Sequence, residues 1–395
     1  MVNVAYLYPW DVVGDPSAPS RLADLGVEAV ALAASYHSTR AATPYHPAHR
    51  VLDVPYPAFY LPIRPASWSR LVPAVPTWTP ADAYLQARDA LKAVGLQVHA
   101  WTVLTHNSHL GAANPDLVVR NAFGDAYPYA LCPSHEDVIE YCEALVRETL
   151  TLGEPDGLIL EACGPMGFGH QTVHEKTSGA DWTPADIDLL SLCFCKNCAT
   201  RYPDQTRAVV RSAIDRTTTF SHHPEATATQ KSASTARTAT PPLSAEQALG
   251  DLADEVREAR TTLTTTLRQR LIAVAKKSAP SVPITLHANP DPWSTGAFAP
   301  LPAGEPNADV LVANCWGDPS TDATRLTRLK TLTNEPQRVG AYVLALPPRP
   351  ADPEVLADQL RTYSKAGATE YHLYHAGLAS PQRLSALARA LTLLP

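Results

Sequence analysis

Apolar residues along this chain gather into eight short runs: Val2–Tyr8, Glu28–Ala34, Leu96–Leu104, Gly157–Ala162, Pro283–Ala288, Asp309–Cys315, Val339–Leu346 and Glu370–His375. Each is aliphatic or β-branched and lacks strict alternation, the pattern of a strand buried on both faces. Between most of them lie stretches with helical spacing: Pro19–Leu25, Pro80–Val94, Glu136–Leu152, Leu252–Lys277, Asp322–Leu332, Pro353–Lys365 and Pro381–Leu393. Strand alternating with helix predicts a parallel sheet with right-handed crossovers. Eight such units most simply close into a single (β/α)8 barrel spanning residues 1–395. In that fold functional groups collect at the C-terminal ends of the strands, so the residues just past each run become the candidates.

One segment breaks the pattern. Residues 217–242 mix Ala, Thr, Ser, Gln and Lys with a pair of histidines and few large apolar groups. Such a stretch cannot bury a core and is expected to be a mobile insertion within the fourth βα connection. The 37 prolines exceed the usual share and cluster in two loops, after the second and the fifth strand. A net charge of −7 without any basic run excludes a nucleic-acid or anionic-membrane role. No apolar run approaches the ~20 residues of a membrane span, and the N-terminus leads straight into the first strand without an export signal. A cytoplasmic protein is expected, and its seven cysteines are then thiols or metal ligands rather than disulfides.

Glu161 is the sharpest single residue. It ends the run Gly157-Leu158-Ile159-Leu160, and burying a charge there costs several kcal/mol unless something requires it. A glycosidase would need a second carboxylate facing it. Asp291 and Asp318 are the candidates, because both follow strand ends and both neighbour a tryptophan, Trp293 and Trp316. Asp318-Pro319-Ser320 equally fits a helix cap. Asp11, after the first strand, is a further candidate. Expected substrate-binding residues at or near strand tips are His37, Trp101, His106, Asn107, His287, Tyr342, Tyr374 and His375. Trp101, Trp293 and Trp316 offer flat faces for a sugar ring.

Cys193-Phe194-Cys195-Lys196-Asn197-Cys198 places three thiols at C-x-C-x-x-C spacing, able to wrap one soft ion. Zinc wants a fourth ligand. Cys132 is the first choice and Cys163 the reserve. Four thiolates would make a structural site rather than a catalytic one. No organic cofactor is expected.

This Cys-rich element, followed by Ala199-Thr200-Arg201-Tyr202, resembles the zinc loop of family 42 β-galactosidases and of hypothetical glycosyl hydrolase barrels. Leu131-Cys132-Pro133 ahead of Asp156-Gly157 and a strand ending in Glu161 is similar to their layout. The resemblance spans roughly residues 96–202. It implies a carbohydrate or glycoside as substrate. Two departures limit it. Leu160 precedes Glu161 where those enzymes carry Asn, and the run at Val339–Leu346 holds no carboxylate. The pattern is closer to α-galactosidases and α-fucosidases, which implies Glu161 as the nucleophile. The alternative is a barrel that works on a sugar without hydrolysis, as an isomerase, lyase, biosynthetic enzyme or binding protein. Nothing in the chain fixes the sugar or the oligomeric state.

Overall fold

A computed structural model describes residues 2–169, 175–220, 244–301 and 308–394. All eight apolar runs form strands: β1 Val2–Leu7, β2 Ala29–Tyr36, β3 Gln97–Val103, β4 Gly157–Glu161, β5 Ile284–Asn289, β6 Val310–Cys315, β7 Arg338–Leu344 and β8 Glu370–Tyr374. Every neighbouring pair is parallel. β1 pairs with β2 on one side, Val4 opposite Ala29, and with β8 on the other, Val2 opposite Glu370, so the sheet closes on itself. The protein is a (β/α)8 barrel. Burial on both faces explains the unbroken apolar runs, since every residue of Ala29–Tyr36 is buried.

Helices α1 Ala18–Ala23, α2 Ala83–Lys92, α3 Glu136–Gly153, α4 Ala253–Ser278, α5 Pro319–Thr331, α6 Pro353–Lys365 and α7 Pro381–Thr392 match the seven predicted stretches. The last three each start with Pro at the first helical position behind a capping Asp318, Asp352 or Ser380. Between β5 and β6 no helix occurs among the described residues; a short strand, Ala299–Pro300, lies against the end of β5 instead. The β4–α4 connection carries its own short helices, including Pro184–Leu190, Lys196–Ala199 and Thr206–Phe220. That last helix takes in the start of the low-complexity segment; residues 221–243 lie outside the described residues.

The barrel interior is polar as well as aromatic. His99, His287 and His372 point inward with Tyr6, Trp101 and Tyr342. Two strand glycines make room for the imidazoles. A Cβ at Gly157 would sit 2.7 Å from the His99 ring, and one at Gly340 would sit 2.9 Å from both His372 and Val312. Aromatics of the long β2–α2 loop pack against the outer layer. Phe59 and Tyr60 are fully buried, and Trp68 lies 5.9 Å from Tyr141 of α3. No helix among the described residues is long and apolar enough to cross a membrane.

Candidate active site and cysteine cluster

Glu161 stands at the C-terminal tip of β4. The next residue, Ala162, has φ of 54°, in the left-handed region that costs a non-glycine residue about 1–3 kcal/mol. The turn is held from both sides. Thr105 Oγ1 donates to the carbonyls of Ala162 and Gly164 at 2.9 and 2.8 Å, and Ala162 N donates to Ala297 O at 2.9 Å. The strand therefore stops at Glu161 and the chain turns sharply away behind it.

The carboxyl is buried, and no arginine or lysine pairs with it among the described residues. Trp101 Nε1 donates to its Oε2 at 2.7 Å, and His287 Nδ1 lies 3.4 Å from the same oxygen. Burial raises its pKa to about 7, and the Trp101 hydrogen bond offsets this only in part. The side chain opens into a cavity of about 390 Å³ at the C-terminal mouth of the barrel. Among the described residues lining it, Glu161 is the only carboxylate.

The walls come from several strand ends, as the fold demands. Tyr36 and His37 stand at the end of β2, and Asn289, Asn314, Tyr342 and Tyr374 come from the C-terminal halves of the last four strands, β5 to β8. Trp316 is exposed and stacks on Tyr342 with centroids 5.4 Å apart and planes 15° apart. The loop after β5 adds Ser294, Thr295 and Phe298, and α5 adds Arg325. Arg325 is anchored by hydrogen bonds of 2.7 Å to Asn314 O and to the buried Asp322. Burial first, with the nearby Glu161 charge adding to it, pushes the Tyr36, Tyr342 and Tyr374 hydroxyls up, so they stay protonated as donors.

Of the expected site residues, Glu161, His37, Trp101, Trp316, Tyr342 and Tyr374 share this cavity. The two expected partner carboxylates do not line it. Asp318 is exposed and caps α5, accepting from Ser320 Oγ, Ser320 N at 3.0 Å and Thr321 N at 3.2 Å; the Ser320 hydroxyl first, then these backbone bonds, hold its pKa below the ordinary carboxylate range. Asp291 is exposed in a turn, accepting from Trp293 N at 3.0 Å, and lines an adjacent hollow with Arg325 and Arg328. Asp11 is buried in a separate hollow, accepting from Tyr8 N at 2.8 Å, and burial raises its pKa to about 7.

The remaining expected binders lie behind or beside the cavity. His287 is fully buried beneath Glu161, stacked 4.6 Å from Phe298. His375 is fully buried 4.2 Å from Tyr8, and burial pushes its pKa down to about 3. His106 packs between His37 and Tyr129. Asn107 caps the short helix Ser108–Ala113, accepting from Leu110 N at 2.9 Å. Trp293 is buried over Arg260 and donates to Glu246. Sequence reasoning missed Tyr36, Asn289, Asn314 and Arg325. The two asparagines sit at strand ends, the same rule that singled out Glu161. Arg325 reaches the cavity from a helix, where strand-end reasoning does not look.

The four predicted thiols come together. Cys132, Cys193, Cys195 and Cys198 are buried, and their sulfurs all lie within 4.8 Å of one another. Cys132 Sγ is 3.5, 3.7 and 3.8 Å from those of Cys198, Cys193 and Cys195. A tetrahedral zinc with bonds of about 2.3 Å requires sulfur–sulfur edges of about 3.8 Å, so the set fits a metal ion of that size. The four thiols share their protons: contacts within the cluster hold Cys195 well below the ordinary thiol range and push Cys132 and Cys193 well above it, and a bound metal would displace the remaining protons. Asn197 Nδ2 donates to Ser134 O at 3.0 Å and braces the loop against the segment carrying Cys132. Cys163, the reserve ligand, is outside the group, and burial raises its pKa to about 12. None of the four thiols lines the Glu161 cavity.

No family model and no curated protein matches the chain by sequence. Solved structures match its fold along its whole length. The glycoside hydrolase domain of PgaB (BpsB) from Bordetella bronchiseptica superposes with a TM-score of 0.57 at 15% identity, covering 100% of both chains. The catalytic domain of β-amylase from Paenibacillus polymyxa gives 0.54 at 12% identity, covering 100% of this chain and 99% of that one. A β-galactosidase from the psychrophilic Marinomonas ef1 gives 0.56 at 11% identity, covering 98% of this chain and 58% of that one. The protein thus has the barrel fold of these glycoside hydrolases.

Proposed function

We propose that the protein is a glycoside hydrolase-like enzyme acting on a sugar or a glycosylated small molecule, with its chemistry centred on Glu161. One observation carries the reading. A carboxyl whose pKa burial has moved to about 7 faces a cavity walled by aromatic rings, amides and tyrosine hydroxyls. A group titrating near neutrality can give and take a proton at ordinary pH. The stacked Trp316 and Tyr342 offer a face to a sugar ring, and Asn289 and Asn314 match its hydroxyls. The glycoside hydrolase folds it superposes on support the same substrate class.

We read Glu161 as a proton donor in place of the expected nucleophile. A carboxyl that is about half neutral at pH 7 is a good general acid and a poor standing nucleophile. The absence of a second carboxylate among the described lining residues favours a second reading, an isomerase or lyase that needs one acid–base group. A glycoside panel assayed for released sugar separates the two. Hydrolysis that falls about 10³-fold in Glu161→Gln, with the fold intact, supports the first. Sugars that quench tryptophan fluorescence but are never cleaved support the second.

We read the four-cysteine set as a structural zinc site in a cytoplasmic protein, where thiols stay reduced. Four thiolates would fill the coordination shell, so the ion would tie the loop to the Cys132 segment and activate no water. Elemental analysis should find about one zinc per chain. Native protein without metal, its thiols freely titratable, would refute the site.

A further inference from the structure

A line of polar side chains runs through the barrel interior from Glu161 to Glu370 at the other end. His287 Nδ1 approaches Glu161 Oε2 to 3.4 Å without a hydrogen bond between them, and no other group takes that nitrogen. The other ring nitrogen, Nε2, is 2.9 Å from the Tyr6 hydroxyl, which is 3.1 Å from His372 Nδ1. His372 Nε2 is 3.4 Å from Glu370 Oε2, and Glu370 Oε1 is 2.5 Å from Arg338 Nη1. Glu161, His287, Tyr6, His372 and Glu370 are all buried.

We propose that this line is a proton relay, in which Glu161 exchanges a proton with His372 through His287 and Tyr6 while Glu370 anchors the far end. The proposal rests on reading Glu161 as the group on which the chemistry turns. Valence fixes its direction. Glu370, held ionised by Arg338, accepts from His372 Nε2–H. A neutral His372 then offers only a lone pair at Nδ1, so Tyr6 O–H donates to it. The Tyr6 oxygen accepts from His287 Nε2–H. His287 Nδ1 is left as a lone pair facing Glu161. A carboxylic acid satisfies that lone pair, whereas a carboxylate repels it.

The same protons allow a second arrangement. Glu161 O–H passes to His287 Nδ1, His287 Nε2–H passes to the Tyr6 oxygen, and Tyr6 O–H passes to His372 Nδ1. Three bonds to hydrogen break and three form. Glu161 ends as a carboxylate facing an N–H, and His372 ends as an imidazolium beside Glu370. Glu161 can thus ionise and recover its proton without admitting water. The contacts of 3.4 Å at either end must shorten for transfer, as acid–base contacts in empty sites commonly do.

The surroundings suit a conduit. Burial, then Glu161 and Glu370, push the Tyr6 hydroxyl well up, so it passes a proton without resting as tyrosinate. Burial, then His372, push His287 well below its ordinary range, so it does not store a second proton. Glu161 faces Trp101, His287 and the hydroxyls of Tyr6, Tyr36, Tyr342 and Tyr374. His372 and Glu370 face Tyr6, His99, His287 and Arg338. His287, Tyr6, His372 and Glu370 are positioning residues, acting through Glu161.

Carbon-13 NMR of the full chain, labelled at the glutamate side-chain carboxyl, reads the Glu161 titration, with Glu161→Gln to assign it. In Glu370→Gln the new amide can donate to His372 Nε2 and reverse every bond in the line. The Glu161 acidity constant should then rise about tenfold or more, one pKa unit, in the face of an N–H. In the Tyr6→Phe background the same change at Glu370 should move it far less. An equal shift with and without Tyr6, or none in either, overturns the relay. Nitrogen-15 NMR of the His287 ring decides independently if Tyr6→Phe does not fold. The relay requires Nε2–H at rest and Nδ1–H in Glu370→Gln; Nδ1–H at rest overturns it. Neither readout needs turnover. A relay without hydrolysis refutes only the functional reading, and hydrolysis without these shifts refutes only the relay.

Discussion

Two buried glutamates stand at opposite ends of the same barrel, and burial acts on them alike. At Glu161, at the C-terminal mouth, burial raises the pKa to about 7 because only an indole N–H opposes it. At Glu370, on the N-terminal side, burial also raises the pKa, but the hydrogen bond from His372, followed by nearby positive charge that includes Arg338, outweighs it and brings the carboxyl below its ordinary range. One end leaves its charge uncompensated and the other compensates it fully. Strain and unpaired charge at the mouth mark the reactive end, and the ion pair marks the scaffold.

The largest test of that contrast is the pH dependence of stability. Glu161 has a folded pKa raised from 4.5 to about 7. Its contribution to stability is therefore fully present below pH 4.5 and is lost as pH rises through 7, by an amount on the order of 3 kcal/mol. Urea unfolding of wild type and Glu161→Gln should coincide below pH 4.5, diverge between 4.5 and 7, and hold a constant gap above 7, with the variant more stable. Curves that stay parallel from pH 4.5 to 7 would mean that the carboxyl is not buried unpaired.

Glu370 should behave in the opposite sense. Its folded pKa is depressed, so its contribution is present above the unfolded value and disappears as pH falls through the folded one. Glu370→Gln should cost about 1–2 kcal/mol at pH 7, less than a fully buried pair because Arg338 is half exposed. The loss should shrink as the medium is acidified below pH 4. A loss unchanged by acid would assign it to packing.

The smallest expected effect concerns the mouth alone. Trp316→Ala should weaken sugar binding about tenfold, roughly 1.4 kcal/mol, and leave the Glu161 titration in place. A shift of that titration would show that Trp316 helps to keep the carboxyl dry.

The strands and helices were legible because each run is buried on both faces and each late helix opens with its own cap. The cysteine set was legible because thiols at this spacing have few other uses. Glu161 stood out as a charge at the end of an apolar strand. Its expected partners misled because an aspartate after a strand serves a turn as readily as a reaction. Asp318-Pro319 is a helix start and Asp291 a turn, and local chemistry won at both positions. The relay was not legible. His287 reads as a binder from its place near a strand end and His372 as an ordinary core imidazole. Only barrel closure sets Tyr6 of the first strand between histidines from the fifth and the last.

The two glycines that flank this polar interior constrain how such a barrel can change. The space for the rings of His99 and His372 is the space that side chains at positions 157 and 340 would fill. An imidazole and its facing glycine are therefore one heritable unit. A chain that gains a methyl at position 157 must first shrink His99, and the reverse order passes through an overpacked intermediate. Families sharing this core should show the two positions changing together, with the small residue always arriving before the large polar one.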